Sequence, residues 1–197
     1  MAKLRHCFFS LAALLVFVLC GCGGIRFSQT APEAVDFHPR SIALLSLDGR
    51  GYEESLAALD RIITGELTDK GWFSNVLSFQ NIQGRIKDDK AFHKAVSGYL
   101  AKLKAVNFSD SELSRKIGEL AKVDAFLLVD VDYWYYMKEA DKNVAKVGLG
   151  MRMINAGTGA LIWKAAHHLA PDYVFLKPEL IAVAGDVVKQ MVGAMPH

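Results

Sequence analysis

Residues 125–137 read AFLLVDVDYWYYM, a stretch rich in β-branched and aromatic residues that becomes strictly alternating at Val129-Asp130-Val131-Asp132. Period-two alternation marks a strand with one face toward a core, so this stretch is predicted as a β-strand. Downstream, apolar runs at residues 144–154 and 160–170 flank Asn155-Ala156-Gly157-Thr158-Gly159. Glycines at the turn make the two runs a hairpin. Upstream, residues 41–47 (SIALLSL) lie behind a proline and ahead of Asp48-Gly49-Arg50-Gly51, the pattern of a buried strand followed by a turn.

The intervening segments carry helical spacing. Leu56, Leu59, Ile63 and Leu67 set a stripe along one side of a helix over 52–70, which Gly71 stops. Residues 72–79 (WFSNVLSF) return as a second strand. Asp88 and Asp89, at the positive end of a helix, precede Phe92, Val96, Tyr99, Leu100 and Leu103. Ser109 and Glu112 form a capping-box pattern before Leu113, Ile117 and Leu120. Pro178 opens a last helix through Leu180, Val183, Ala184, Val187, Val188 and Met191. Strands alternating with helices predict an α/β fold, a single mixed sheet with helices packed on it, over residues 41–197.

The amino terminus reads as an address. Lys3 and Arg5 precede an almost entirely apolar run from position 8 to position 20, which ends in Leu19-Cys20-Gly21-Cys22. That is the build of a secretory signal, and Gly21, Gly23 and Gly24 stop the run short of the roughly 20 apolar residues a membrane span needs. The tetrapeptide resembles the bacterial lipobox, with an atypical Cys20 in its second place. The resemblance implies a signal peptide over 1–21, cleavage after Gly21, acylation of Cys22, and a lipidated tether over 22–40. Gly23 stands where the family pattern uses Asp to retain a lipoprotein in the inner membrane, so the expected location is the outer membrane, facing the periplasm. Ile25, Phe27, Val35 and Phe37 are too apolar for a free coil, and part of the tether is expected to pack on the domain or on a neighbour.

Charge and cysteine usage narrow the chemistry. The chain has 197 residues, 52% of them hydrophobic and 22% charged, which excludes a wholly disordered protein. Lys3 and Arg5 account for the whole excess of base over acid, so the chain beyond the signal is balanced and lacks the basic footprint of a nucleic-acid binder. The three cysteines, Cys7, Cys20 and Cys22, all precede the domain, which therefore has no disulfide, zinc cage or thiol nucleophile. His167 and His168 are adjacent on a strand and point to opposite faces, so they do not share a metal. His38 and His93 are expected at the surface. Asp48-Gly49-Arg50-Gly51 lacks the third glycine and the Lys-Ser/Thr pair of a phosphate loop and reads as a plain turn. No metal and no cofactor is expected.

Asp130 and Asp132 lie two apart on one strand, about 7 Å from each other at roughly 3.4 Å per residue. Paired carboxylates at that separation serve glycosidases. Lys146 and Arg152 on the neighbouring strand share a parity opposite to Val147, Leu149, Met151 and Met153, so a salt-bridged, solvated sheet face is the stronger expectation. By parity Tyr133 and Tyr135 continue the buried set, whereas Trp134 and Tyr136 continue the face of Asp130 and Asp132. Two large aromatics there mark either a contact surface or a patch covered by the tether.

Four segments together carry a family resemblance: SIALLSL behind the tether, a helix ending in DKGWFSNV (69–76), Ile117-Gly118-Glu119-Leu120-Ala121-Lys122-Val123-Asp124-Ala125-Phe126-Leu127-Leu128-Val129, and Met153-Ile154-Asn155-Ala156-Gly157-Thr158-Gly159-Ala160-Leu161-Ile162-Trp163. The chain resembles the superfamily of the curli secretion lipoprotein CsgG, the penicillin-binding-protein activator LpoB and related bacterial lipoproteins, with the TolB amino-terminal type of α/β fold. The resemblance implies a lipid-anchored periplasmic accessory or scaffolding protein that works by contact with envelope partners and is not an enzyme. A homo-oligomer, including an oligomeric secretion-channel component, and a glycan-acting hydrolase built on Asp130 and Asp132 stay open as alternatives.

Overall fold

The structure is a computed structural model and describes residues 25–197. One mixed sheet of seven strands carries the fold: β1 (Phe27–Thr30), β2 (Ser41–Asp48), β3 (Asn75–Leu77), β4 (Ala125–Glu139), β5 (Lys142–Asn155), β6 (Leu161–Leu169) and β7 (Asp172–Tyr173). The strand order is β1-β6-β5-β4-β2-β3, with β7 continuing the line of β6 beside β5. β2 runs parallel to β3 and β4, and the other pairings are antiparallel. The parallel pairings join strands separated by helical crossovers, as they must.

Among the described residues, five helices cover the two faces. On one, α1 (Leu56–Lys70) brings Leu59, Ile63 and Leu67, and α5 (Leu180–Gly193) brings Val183, Val187 and Met191, against Ile42, Leu44, Leu127, Val129, Leu149 and Met151. On the other, α2 (Phe79–Asp88), α3 (Lys90–Val106) and α4 (Ser111–Ala121) bury Ile82, Phe92, Val96, Tyr99 and Ile117 against Ala43, Leu45, Phe126 and Leu128. The Tyr99 ring meets Phe126 edge-on, with centroids 5.4 Å apart. Its hydroxyl lies 2.9 Å from Ser109 Oγ, which donates onward to the Gly159 carbonyl at 2.6 Å. The hydroxyl is thereby satisfied at the end of an otherwise apolar contact.

Three local expectations change. The second strand, expected over 72–79, shrinks to Asn75–Leu77, and Phe79 opens α2 instead. The cause is Asp60 on α1, whose buried carboxylate accepts the Phe79 and Gln80 amides at 2.7 and 3.0 Å, while Ser78 and Asn81 close a reciprocal cap. Those contacts satisfy free N–H groups at the start of α2. Asp110, rather than Ser109, caps α4 by accepting the Glu112 and Leu113 amides. The stretch expected as tether contains β1, paired with β6 from Phe27↔Ala166 to Thr30↔Trp163, and a 3-10 turn at Pro32–Asp36. Its end is fixed where Asp124 accepts the Arg40 and Ser41 amides at 2.9 and 3.0 Å.

The pairing of β4 with β5 steps from Val131↔Leu149 to Tyr133↔Gly148, leaving Asp132 as an extra residue in a β-bulge. A bulge resets the alternation of every side chain beyond it.

Candidate functional site

The α2–α4 layer covers only part of its face. From β4 it takes Phe126 and Leu128, and from β5 only Ile154. Beyond them the same face of β4, β5 and β6 carries half-exposed side chains and, among the described residues, no helix, a patch centred on Asp130, Asp132, Tyr133, Tyr135, Lys146 and Arg152.

Arg50 organises the acids of this patch. It sits in the turn after β2 with φ +48°, and its amide donates to Asp48 Oδ1 at 3.0 Å. From there the guanidinium bridges Asp130 at 3.3 Å and Asp132 at 3.0 Å, and Arg152 adds a second contact to Asp130 at 3.3 Å. Burial raises the Asp132 carboxyl above its ordinary range, opposed by Arg50 and reinforced by the Asp130 charge. A guanidinium occupies the position between the two carboxylates, where a glycosidase holds its substrate. The predicted salt-bridged face is present in part as expected, with Arg152 on Asp130, while Lys146 turns instead to Glu139 at 2.8 Å and Arg50, not foreseen there, contacts both Asp130 and Asp132.

The aromatic run is reversed from its expected parity. Trp134 is 7% exposed and belongs to the α1/α5 core with Val129, Val131 and Val147, so it is no surface anchor. Tyr136 lies on that same side, at the end of the strand, and its hydroxyl donates to the Pro178 carbonyl at 2.9 Å. The bulge at Asp132 is the cause, and it brings Tyr133 and Tyr135 onto the open face. Their rings meet edge-on at 6.0 Å, Tyr52 packs on Tyr135 at 6.2 Å, and Tyr133 contacts His168 at 5.5 Å with Lys146 4.9 Å from its centroid. Gly148 is opposite Tyr133, and a Cβ there would lie 2.5 Å from the ring, so the close approach of Tyr133 needs glycine.

His167 and His168 do point apart. His167 is buried on the α5 side with Nδ1 accepting the Arg26 amide at 3.3 Å, while His168 lies against Tyr133 on the open face. Burial lowers the pKa of both. His38 and His93 are exposed. A cleft of about 750 Å³ at the end of β2, beside the interior of β4, is lined by Asp48, Glu53 and Asp130 against Arg50, Lys104 and Arg152. Its charges are balanced and Asp48 occupies the Arg50 amide, so the Asp48-Gly49-Arg50-Gly51 turn presents no anion cradle. Among the described residues, no cluster of three His, Cys, Asp or Glu could hold a metal and no helix is long and apolar enough to cross a membrane. Gly21, Cys22 and Gly23, with the signal peptide, lie outside the described residues.

No protein-family model and no curated protein matches the chain. Among solved structures, it is similar to PelC from Paraburkholderia phytofirmans, a dodecamer, with a TM-score of 0.57 at 13% identity over 89% of this chain and all of that one. A variant of the same dodecamer gives 0.56 at 13% identity over 86% and 96%. The lipoprotein GNA1162 from Neisseria meningitidis gives 0.49 at 13% identity over 78% and 98%. The PelC likeness shows the fold: one mixed sheet with helices on it.

Proposed function

We propose that the protein is a lipid-anchored, periplasm-facing accessory or scaffolding protein of the outer membrane, acting by contact with itself and with envelope partners rather than by catalysis. The observation that carries this reading is the half-sheet that no helix among the described residues covers, where Tyr133 and Tyr135 stand among paired charges. Half-exposed aromatics on a rigid support, rimmed by charge, are the composition of a protein contact. Leu19-Cys20-Gly21-Cys22 supports the anchor, and the assembly of PelC as a dodecamer supports self-association. Asp130 and Asp132 have no catalytic step in this scheme, because Arg50 and Arg152 hold them as a charge network.

A photoreactive residue in place of Tyr135, used in intact envelopes, should give adducts of discrete mass, either twice the chain or the chain plus one partner. The same group in place of the exposed Arg115 on α4 should give none. Absence of adducts from position 135 would remove the contact surface, and degradation of cell-wall glycan by the purified chain, lost in Asp130→Asn, would replace contact by hydrolysis.

A further inference from the structure

The loop between β7 and α5 exposes three apolar residues in succession: Val174 at 80%, Phe175 at 99% and Leu176 at 88%. A single exposed apolar side chain is ordinary, but three at one loop tip, with nothing of the domain packed on them, are not. The loop is held in place beneath this tip. Tyr136 and Tyr173 meet edge-on at 6.2 Å, the Tyr136 hydroxyl holds the Pro178 carbonyl, and Lys177 Nζ sits 3.4 Å from the Tyr136 centroid. An apolar tip above a collar of tyrosines and a lysine is the composition of a lipid interface, where amphipathic aromatics and basic side chains sit at headgroup level.

Chain geometry brings the anchor to the same end of the sheet. β1 runs antiparallel to β6 with Phe27 opposite Ala166, so continuing that register places Ile25 beside His168. β6 then leads into β7, whose Tyr173 pairs with Asn143 at the tip of the β4–β5 hairpin. From His168 to Tyr173 the chain climbs about 16 Å at roughly 3.3 Å per residue, and from Ile25 to Cys22 it reaches at most about 10 Å in the same sense. An acyl chain on Cys22 would therefore hold the lipid surface at the end of the sheet that carries the loop.

We propose that Val174, Phe175 and Leu176 insert into the lipid surface, a second attachment that fixes the domain with its strands upright and its open face turned sideways. The inference rests on the anchor at Cys22 proposed above, and it sharpens that scheme: an upright domain presents Tyr133 and Tyr135 to neighbours in the membrane plane.

The test uses the full acylated chain in vesicles of phosphatidylethanolamine and phosphatidylglycerol. An environment-sensitive fluorescent amino acid replaces Leu176, which leaves Phe175 intact, and a control carries it in place of Thr158 at the opposite end of the sheet. Blue-shifted emission at 176, reduced severalfold when the lipid acyl chains are brominated, with the 158 control unchanged, is the expected result. Solvent-like emission at 176 overturns the proposal. Blue-shifted emission that bromine does not quench and dilution abolishes also overturns it, because a second copy then covers the loop. If the mass of the Cys22 peptide shows no acyl group, the anchor fails separately. The chain added to preformed brominated vesicles then still reports the loop, and no quenching there overturns insertion as well.

Discussion

The two halves of β4 face different surroundings. Over residues 125–129 every side chain is buried, because Phe126 and Leu128 enter the α2–α4 layer while Ala125, Leu127 and Val129 enter the α1/α5 layer. Beyond Val129 only the α1/α5 side stays covered, and the strand alternates accordingly. A continuous apolar run marks two-sided cover and alternation marks one-sided cover. The boundary between AFLLV and DVDYWYYM is thus the edge of a helical layer. The bulge at Asp132 then sets which aromatics are structural and which face solvent.

The largest effect separates Trp134 from Tyr135. Trp134→Ala empties a core position and should destabilise by about 3–5 kcal/mol, whereas Tyr135→Ala on the open face should cost about 1 kcal/mol or less. Denaturant midpoints at constant slope measure both. Equal losses would mean that the bulge does not divide the strand.

Next come two glycines with close neighbours. A Cβ at Gly118 on α4 would lie 2.8 Å from Ala156 Cβ and 3.2 Å from the Val123 carbonyl, groups that cannot turn aside. A Cβ at Gly148 would lie 2.5 Å from the Tyr133 ring and 3.0 Å from His168 Cβ; of these the ring, which borders solvent, can swing outward at the cost of its present close approach. Gly118→Ala should therefore cost about 1–3 kcal/mol and Gly148→Ala less, although its contact is shorter. The reverse order in thermal unfolding would show the open face to be as rigid as the covered one.

What the sequence disclosed follows the same division. Elements with a buried stripe or an apolar run were legible: β2, α1, α3, the long hairpins and α5. Those held by hydrogen bonds to distant residues were not. β1 is exposed at all four positions, so no periodicity reveals it. The start of α2 depends on Asp60, nineteen residues away in sequence. Its local signal was Ser78 with Asn81, a weaker cap pattern than Ser with Glu. The parity of Tyr133 to Tyr136 was lost because a bulge leaves no fixed residue signature, although the glycine opposite it, Gly148, was a hint. In the sequence Arg50 is only part of a turn, and its reach to Asp130 and Asp132 is a property of the folded sheet.

A smaller effect concerns His167, neutral against the α5 side. Burial lowers its pKa from the ordinary 6.5, with Arg26 acting in the same sense and Gln190 against it, and His168 is lowered too. Between 6.5 and those lowered values the unfolded chain binds more protons than the folded one. Stability should rise with pH through that window and be lost as pH falls. His167→Gln should flatten the slope of stability against pH between about 5 and 7, where histidine titrates. An unchanged slope would mean that the charged form is tolerated on the covered side.

The smallest effect tests the open face itself. Arg50 is half exposed, so Arg50→Ala should cost only about 0–1 kcal/mol and less in high salt. Its pH dependence is the informative part. Asp132 is raised above 3.8 mainly by burial, so in the window above 3.8 the folded state binds more protons, and the ionised carboxylate lowers stability above that window. Removing Arg50 takes away the influence that opposes burial and leaves Asp130, which reinforces it. The loss in Arg50→Ala should therefore be largest near neutral pH and shrink on acidification, as Asp132 takes up its proton in the folded chain. A loss that grows on acidification would mean that Asp132 is not the group Arg50 neutralises.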